Sequence, residues 1–197
     1  PMSELKKYGI EPGQVPYVLL THCHSDHDTG VMSLILSGQK VRLITSRTIY
    51  ESFLRKAEAL VGFHVKDYIE LIEVNPGQSI ELEGVRINIG SSLHSIPTIN
   101  LSAEYLQGAV RHKISYSSDT LYNPAELAEM KEKGVISQER EQALVRFVES
   151  GDYALLVHEA GKVRPHTLPE TLASLPTEIK KKILPVHVPS KAVDPSS

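Results

Sequence analysis

The chain has 197 residues, a net charge of −3 and an apolar share of 41%. That length suits one domain with a sizeable core, residues 1–197, and the composition excludes a disordered or fibrous chain. A slightly acidic balance gives no general nucleic-acid surface, no apolar run approaches a membrane span, and the single cysteine, Cys23, excludes an internal disulfide.

In chain order, Ser3 to Tyr8 reads as a helix or loop ahead of Pro12-Gly13. Tyr17 to Thr21 predicts a buried strand, Gly30 to Ser37 a short helix ended by Gly38, and Val41 to Thr45 a second strand. Ser46 can cap a helix to about Leu60, with Ile49, Phe53, Leu54 and Ala57 on one face. From Tyr68 to Tyr116 the pattern turns to strands, broken at Asn75-Pro76-Gly77 and Glu83-Gly84, with a hairpin across Gly108. Helices return at Pro124 to Lys133, started by Asn123, and at Ser137 to Glu149. Tyr153 to His158 predicts a strand, Leu168 to Ser174 a short helix and Ile183 to His187 a last strand. Strands with interspersed helices fit a layered α/β arrangement. The N-terminus lacks the charged and apolar regions of a signal peptide, so the expected location is cytoplasmic.

The most informative segment is THCHSDHD, residues 21–28. It holds His22, His24, Asp26 and His27 at the end of an apolar run. Alternation along a strand sends His22 and His24 to one side. After a turn, Asp26 and His27 can face a second point nearby. Imidazole nitrogen and carboxylate oxygen at this density suit zinc, iron or manganese. The plain alternative is a polar turn, which would be poorly satisfied if buried without an ion. Alternation points Cys23 away from the ligands, as a small buried filler. His64 reads as exposed, His112 as part of a solvated turn and His158 as an ordinary strand residue.

The pattern His-x-His-x-Asp-His resembles the signature of the metallo-β-lactamase superfamily. Its members complete a two-metal site with a later His, a bridging Asp and a final His. His94 in GSSLHSIPT, Asp119 in ISYSSDT and His187 in ILPVHVP follow in that order. The resemblance implies one ion on His22, His24 and His94 and a second on Asp26, His27 and His187, with Asp119 bridging. It also implies a four-layer αββα sandwich. Family members carry two or three strands before the motif; here a short helix or loop stands there, so the sandwich is expected either to lack its N-terminal strands or to complete its first sheet differently. The segments LLTHCHSDHDTG, ESFLRK, SLHSIPTI, YSSDTLYNP, HEAG and LPVHV look like the branch related to cyclic-nucleotide phosphodiesterases. HEAG followed by His166-Thr167 also resembles the late motif of ribonuclease Z, where a His at the position of His166 assists proton transfer.

These features imply a dinuclear metal-dependent hydrolase, a phosphodiesterase in first place. Two ions roughly 3.5–4 Å apart can share a hydroxide that serves as nucleophile. Zinc is the first expectation, with manganese or iron as alternatives. In this reading Asp26 ligates and orients the nucleophile, His166 protonates the leaving oxygen, and Glu159 orients His166. The substrate is a small-molecule or nucleotide phosphodiester, with nucleic acid less favoured, no membrane, and a homo-oligomer left open. Four alternatives stand beside it: ribonuclease Z-like tRNA processing, thioester hydrolysis, lactam hydrolysis, and a non-catalytic metal-binding module. tRNA processing usually uses a basic protruding arm, and no insertion of that kind is evident. Thioester or lactam hydrolysis would keep the ligands without needing His166.

Overall fold

The structure is a computed structural model describing residues 2–188. Its residues fall into two compact units, the first ending at Pro76 and the second beginning at Gly77.

In the first unit, a short helix α1 (Met2–Lys7) precedes alternating strands and helices: β1 (Val18–Leu19), α2 (Ser25–Leu36), β2 (Val41–Thr45), α3 (Arg47–Glu58) and β3 (Ile69–Glu73). The three strands are parallel, in the order β1-β2-β3, and each successive pair is joined through a helix. Val41, Leu43, Ile44 and Thr45 of the central strand are buried, the near-continuous burial expected of a strand paired on both edges. Ser46 caps α3 as its sequence predicts, its Oγ accepting from the Ile49 amide at 3.3 Å. Ile49, Phe53 and Ala57 recur every four residues and form the buried stripe. Burying a side chain such as Phe53 is worth roughly 1.5–3 kcal/mol.

Two boundaries differ from expectation. The first strand is shorter, because the chain leaves the sheet at Leu20. One tie remains on each side of that residue: its amide donates to Ile44 O at 3.1 Å and its carbonyl accepts from Thr45 Oγ1 at 2.7 Å. Helix α2 starts at Ser25 rather than Gly30, so Asp26 and His27 ride its first turn instead of a loop.

In the second unit, β4 (Ser79–Leu82), β5 (Val85–Ser91), β6 (Ile99–Gln107) and β7 (Val110–Tyr116) form an antiparallel meander. Glu83 and Gly84 both adopt positive φ, 51° and 81°, as a two-residue hairpin turn of this twist requires. The chain then crosses through α4 (Pro124–Glu132) and α5 (Gln138–Glu149) to β8 (Leu155–Glu159). A second crossing, α6 (Pro169–Ala173) and α7 (Thr177–Lys180), leads to β9 (Ile183–Val186). Both late strands are parallel to their neighbours, in the order β7-β8-β9. Asn123 and Ser137 cap α4 and α5 through the amides of Glu126 and Arg140. Leu127, Leu144, Val148, Tyr153, Leu156 and Leu172 pack into one core. Helix α7 was not anticipated, and His112 lies within β7, stacked on Tyr105 at 4.8 Å, rather than in a turn. Among the described residues no helix is long and apolar enough to cross a membrane.

Candidate metal centre

The first unit carries His22, His24, Asp26 and His27. Between the end of β1 and the start of α2 the chain has no regular secondary structure; His24 is extended, and the backbone turns helical at Ser25. His24 is the N-cap residue of α2. This switch compresses the segment: the His22 ring lies 4.9 Å from that of His24 and 4.0 Å from that of His27. His27 Nε2 stands 3.4 Å from Asp26 Oδ2. His22 is fully buried, with Nδ1 at 3.2 Å from the Thr21 hydroxyl, so Nε2 is the nitrogen that could ligate an ion. Cys23 turns the other way, its Sγ donating to Ile49 O at 3.3 Å. Burial, and then the Asp28 carboxylate, push its thiol up to about 11, as suits an inert filler.

The second unit carries His94, Asp119, Glu159, His166 and His187. His94 sits in the loop after β5 and Asp119 in the turn after β7. His94 Nε2 and His166 Nδ1 lie 3.8 and 3.9 Å from the same oxygen, Asp119 Oδ2. The His166 ring is 5.1 Å from that of His94 and 5.0 Å from that of His187. One donor atom each from Asp119, His166 and His187 falls within a 4.8 Å span. Two imidazoles and a carboxylate at this spacing fit a divalent ion of the zinc, manganese or iron class.

Glu159 ties this region together from the end of β8. Its Oε1 accepts from the amides of Thr120 at 2.9 Å and Thr167 at 3.1 Å, and from His166 Nδ1 at 3.2 Å. Its Oε2 accepts from the Gly161 amide at 3.0 Å. A carboxylate only accepts, so the His166 proton on this side resides on Nδ1. Burial raises the Glu159 carboxyl above the ordinary range, while the Thr120 and Thr167 amides oppose that shift. Gly161 is needed here for space: a Cβ would meet His166 Cβ at 2.4 Å. The Asp119 turn has its own brace. Ser117 donates to Ser118 O, Ser92 donates to Ser117 O, and Ser118 adopts φ 53°.

His158, next to Glu159, is buried and stands apart from the ligand set. Its Nδ1 donates to Glu159 O at 2.7 Å, and burial pushes its imidazole down to about 4 from 6.5. The unfolded chain therefore binds more protons between those values, and stability is lost as pH falls through that window. The loss amounts to about 3 kcal/mol. Urea unfolding of metal-free protein at pH 7.5 and 4.5 should show a smaller drop in H158Q than in wild type. Equal drops would mean that His158 does not set the acid limit.

The family model for the Anti-Pycsar protein Apyc1 matches residues 2–194. The chain belongs to this family. It is also 39% identical over 193 residues to cAMP/cGMP-dependent 3′,5′-cAMP/cGMP phosphodiesterase B of Dictyostelium discoideum, a match covering 96% of this chain and 17% of that protein. Against ribonuclease Z of Methanopyrus kandleri the identity is 32% over 101 residues, 49% of this chain and 34% of the relative. The chain thus spans a minor part of the curated relatives it matches. Among solved structures it resembles the metallo-β-lactamase fold protein YhfI of Bacillus subtilis, with a TM-score of 0.63 and 15% identity, covering 96% of this chain and 71% of that one. The Apyc1-family chain has the metallo-β-lactamase fold that its opening motif implied.

Three residues with a part in this Apyc1-family site escaped the sequence reading. Thr120 and Thr167 link the Asp119 turn to the His166 loop, with Thr167 Oγ1 donating to Thr120 O at 2.7 Å. Thr167 was in view only as the second half of the His166-Thr167 pair, and hydroxyl cross-links leave no periodic mark in a sequence. Lys56 is the third. Its position one turn past buried Phe53 was the available sign that it is not simply a solvated lysine.

Proposed function

We propose that this chain is a metal-dependent hydrolase that cleaves a phosphodiester, with 3′,5′-cyclic nucleotides as the first substrate class. The observation that carries the reading is the convergence of Asp119, His166 and His187 within 4.8 Å, two of them ligand candidates and the third, His166, held by the buried Glu159 carboxylate as the proton donor. The names of the Dictyostelium phosphodiesterase and of ribonuclease Z favour phosphate as the group attacked.

In this reading His22, His24 and His94 would hold one divalent ion, and Asp26, His27 and His187 would hold the other. Asp119 would be shared between them. When bound, such ions activate water and offset charge on a phosphoryl oxygen. Asp26 accepts a hydrogen bond from the attacking water and aligns it. His166 delivers a proton from Nε2 to the departing oxygen. Glu159 is a positioning residue: it fixes the His166 ring by accepting from Nδ1.

Elemental analysis of purified protein, joined to a panel of bis(p-nitrophenyl) phosphate, cyclic nucleotides and precursor tRNA, tests the reading. The expected result is two divalent ions per chain, with turnover of the first two substrates that is lost in a chelator and restored by zinc or manganese. Cleavage of precursor tRNA alone would move the assignment to tRNA processing. A metal-loaded protein inactive on the whole panel would overturn the phosphodiesterase reading.

A further inference from the structure

The segment that carries His22, His24, Asp26 and His27 is gripped from outside by one side chain. Lys56, near the end of α3, donates to three oxygens of that segment: Asp28 Oδ2 at 2.7 Å, Cys23 O at 3.1 Å and Ser25 Oγ at 3.2 Å. An ammonium has three protons to give, and here each has an acceptor. The acceptors bracket the bend. Cys23 lies between the two histidines of the extended stretch, and Ser25 and Asp28 lie in the first turn of α2. Asp28 is nearly buried, with 5% of its side chain exposed, so its carboxylate needs a charged partner to be stable there. The Cys23 thiol adds a second tie to the same helix through Ile49 O.

We infer that Lys56 is a positioning residue that holds the bend between the His22-His24 stretch and α2 in its ligating shape. This rests on the reading of His22, His24, Asp26 and His27 as metal ligands. Residues 21–28 form a bend with little regular hydrogen bonding before Ser25, so its shape must come from side chains that reach in. A guanidinium would not replace the ammonium. Its donors lie in one plane, whereas the three oxygens here belong to a side-chain carboxylate, a carbonyl and a hydroxyl spread over six residues.

The test measures Co(II) binding by titration and by the visible absorption of the bound ion, in wild type, H22A, K56M and K56M/D28N. The double variant removes the lysine without stranding the Asp28 charge, and it carries the test if K56M does not fold. Its metal-free melting temperature is expected within a few degrees of wild type. Its Co(II) affinity is expected to fall about tenfold, with an altered spectrum, at the lower end of what outer ligand-orienting groups contribute. An unchanged affinity and spectrum in K56M/D28N, with wild type binding Co(II) and H22A not, would overturn the inference alone. Wild type that binds no Co(II) would overturn the ligand reading and the inference with it.

Discussion

Asp119→Ala should strip the site of its shared ligand, with metal affinity falling by about 100-fold or more and phosphodiester turnover falling with it. Outer partners that only orient a ligand are worth roughly 10–100-fold in affinity, and loss of a direct ligand, the role proposed for Asp119, should cost at least that much. The fold should survive, because the turn has independent supports. Ser117 N donates to Val157 O at 3.0 Å, Ser92 Oγ to Ser117 O at 2.6 Å and the Thr120 amide to Glu159 Oε1 at 2.9 Å. None of these involves the Asp119 carboxylate. Metal content by elemental analysis and the melting temperature of the metal-free protein separate the two effects. A D119A protein that keeps two ions and full turnover would remove Asp119 from its assigned role.

His166→Ala should behave differently. Metal content should stay near wild type, while cleavage of an alkyl phosphodiester slows by ~10²–10⁴-fold, the usual worth of a general acid. An aryl ester with a nitrophenolate leaving group needs little protonation and should lose much less. The ratio of the two losses is the measurement. The side chain suits the role: Nδ1 is engaged by Glu159 at 3.2 Å, and the ring is partly exposed, so Nε2 can reach a bound substrate. Because His166 also shares the 4.8 Å cluster with Asp119 and His187, a second outcome has a distinct signature. A fall in metal content with equal losses on both esters would make His166 a ligand rather than the acid.

Much of this was legible in the chain, and the misses have physical causes. The α3 helix could be read from its Ser46 cap and its four-residue apolar spacing, both local signals. The meander and its Glu83-Gly84 turn were equally local. The start of α2 was not, because Ser25, Asp26, His27 and Asp28 are poor helix formers that favour caps and turns. A contact made from far along the sequence, the Lys56 ammonium on Ser25 Oγ and Asp28 Oδ2, leaves no local mark there. Around Glu159 the same holds. Its partners Thr120, Gly161 and Thr167 meet only once β7 and β8 have paired, so the sequence offered Glu159 as a partner for His166 but not the three backbone amides that it also accepts from.

The early start of α2 has an electrostatic consequence. The first amides of a helix point outward without intrahelical partners and carry about half a unit of positive charge, which draws anions and repels cations. Asp26 and Asp28 both lie in that first turn. Asp28 pairs with Lys56, and Asp26 stands beside His27. Two carboxylates in that turn lower the positive potential of the helix end, so it tolerates a cation that the bare amides would repel.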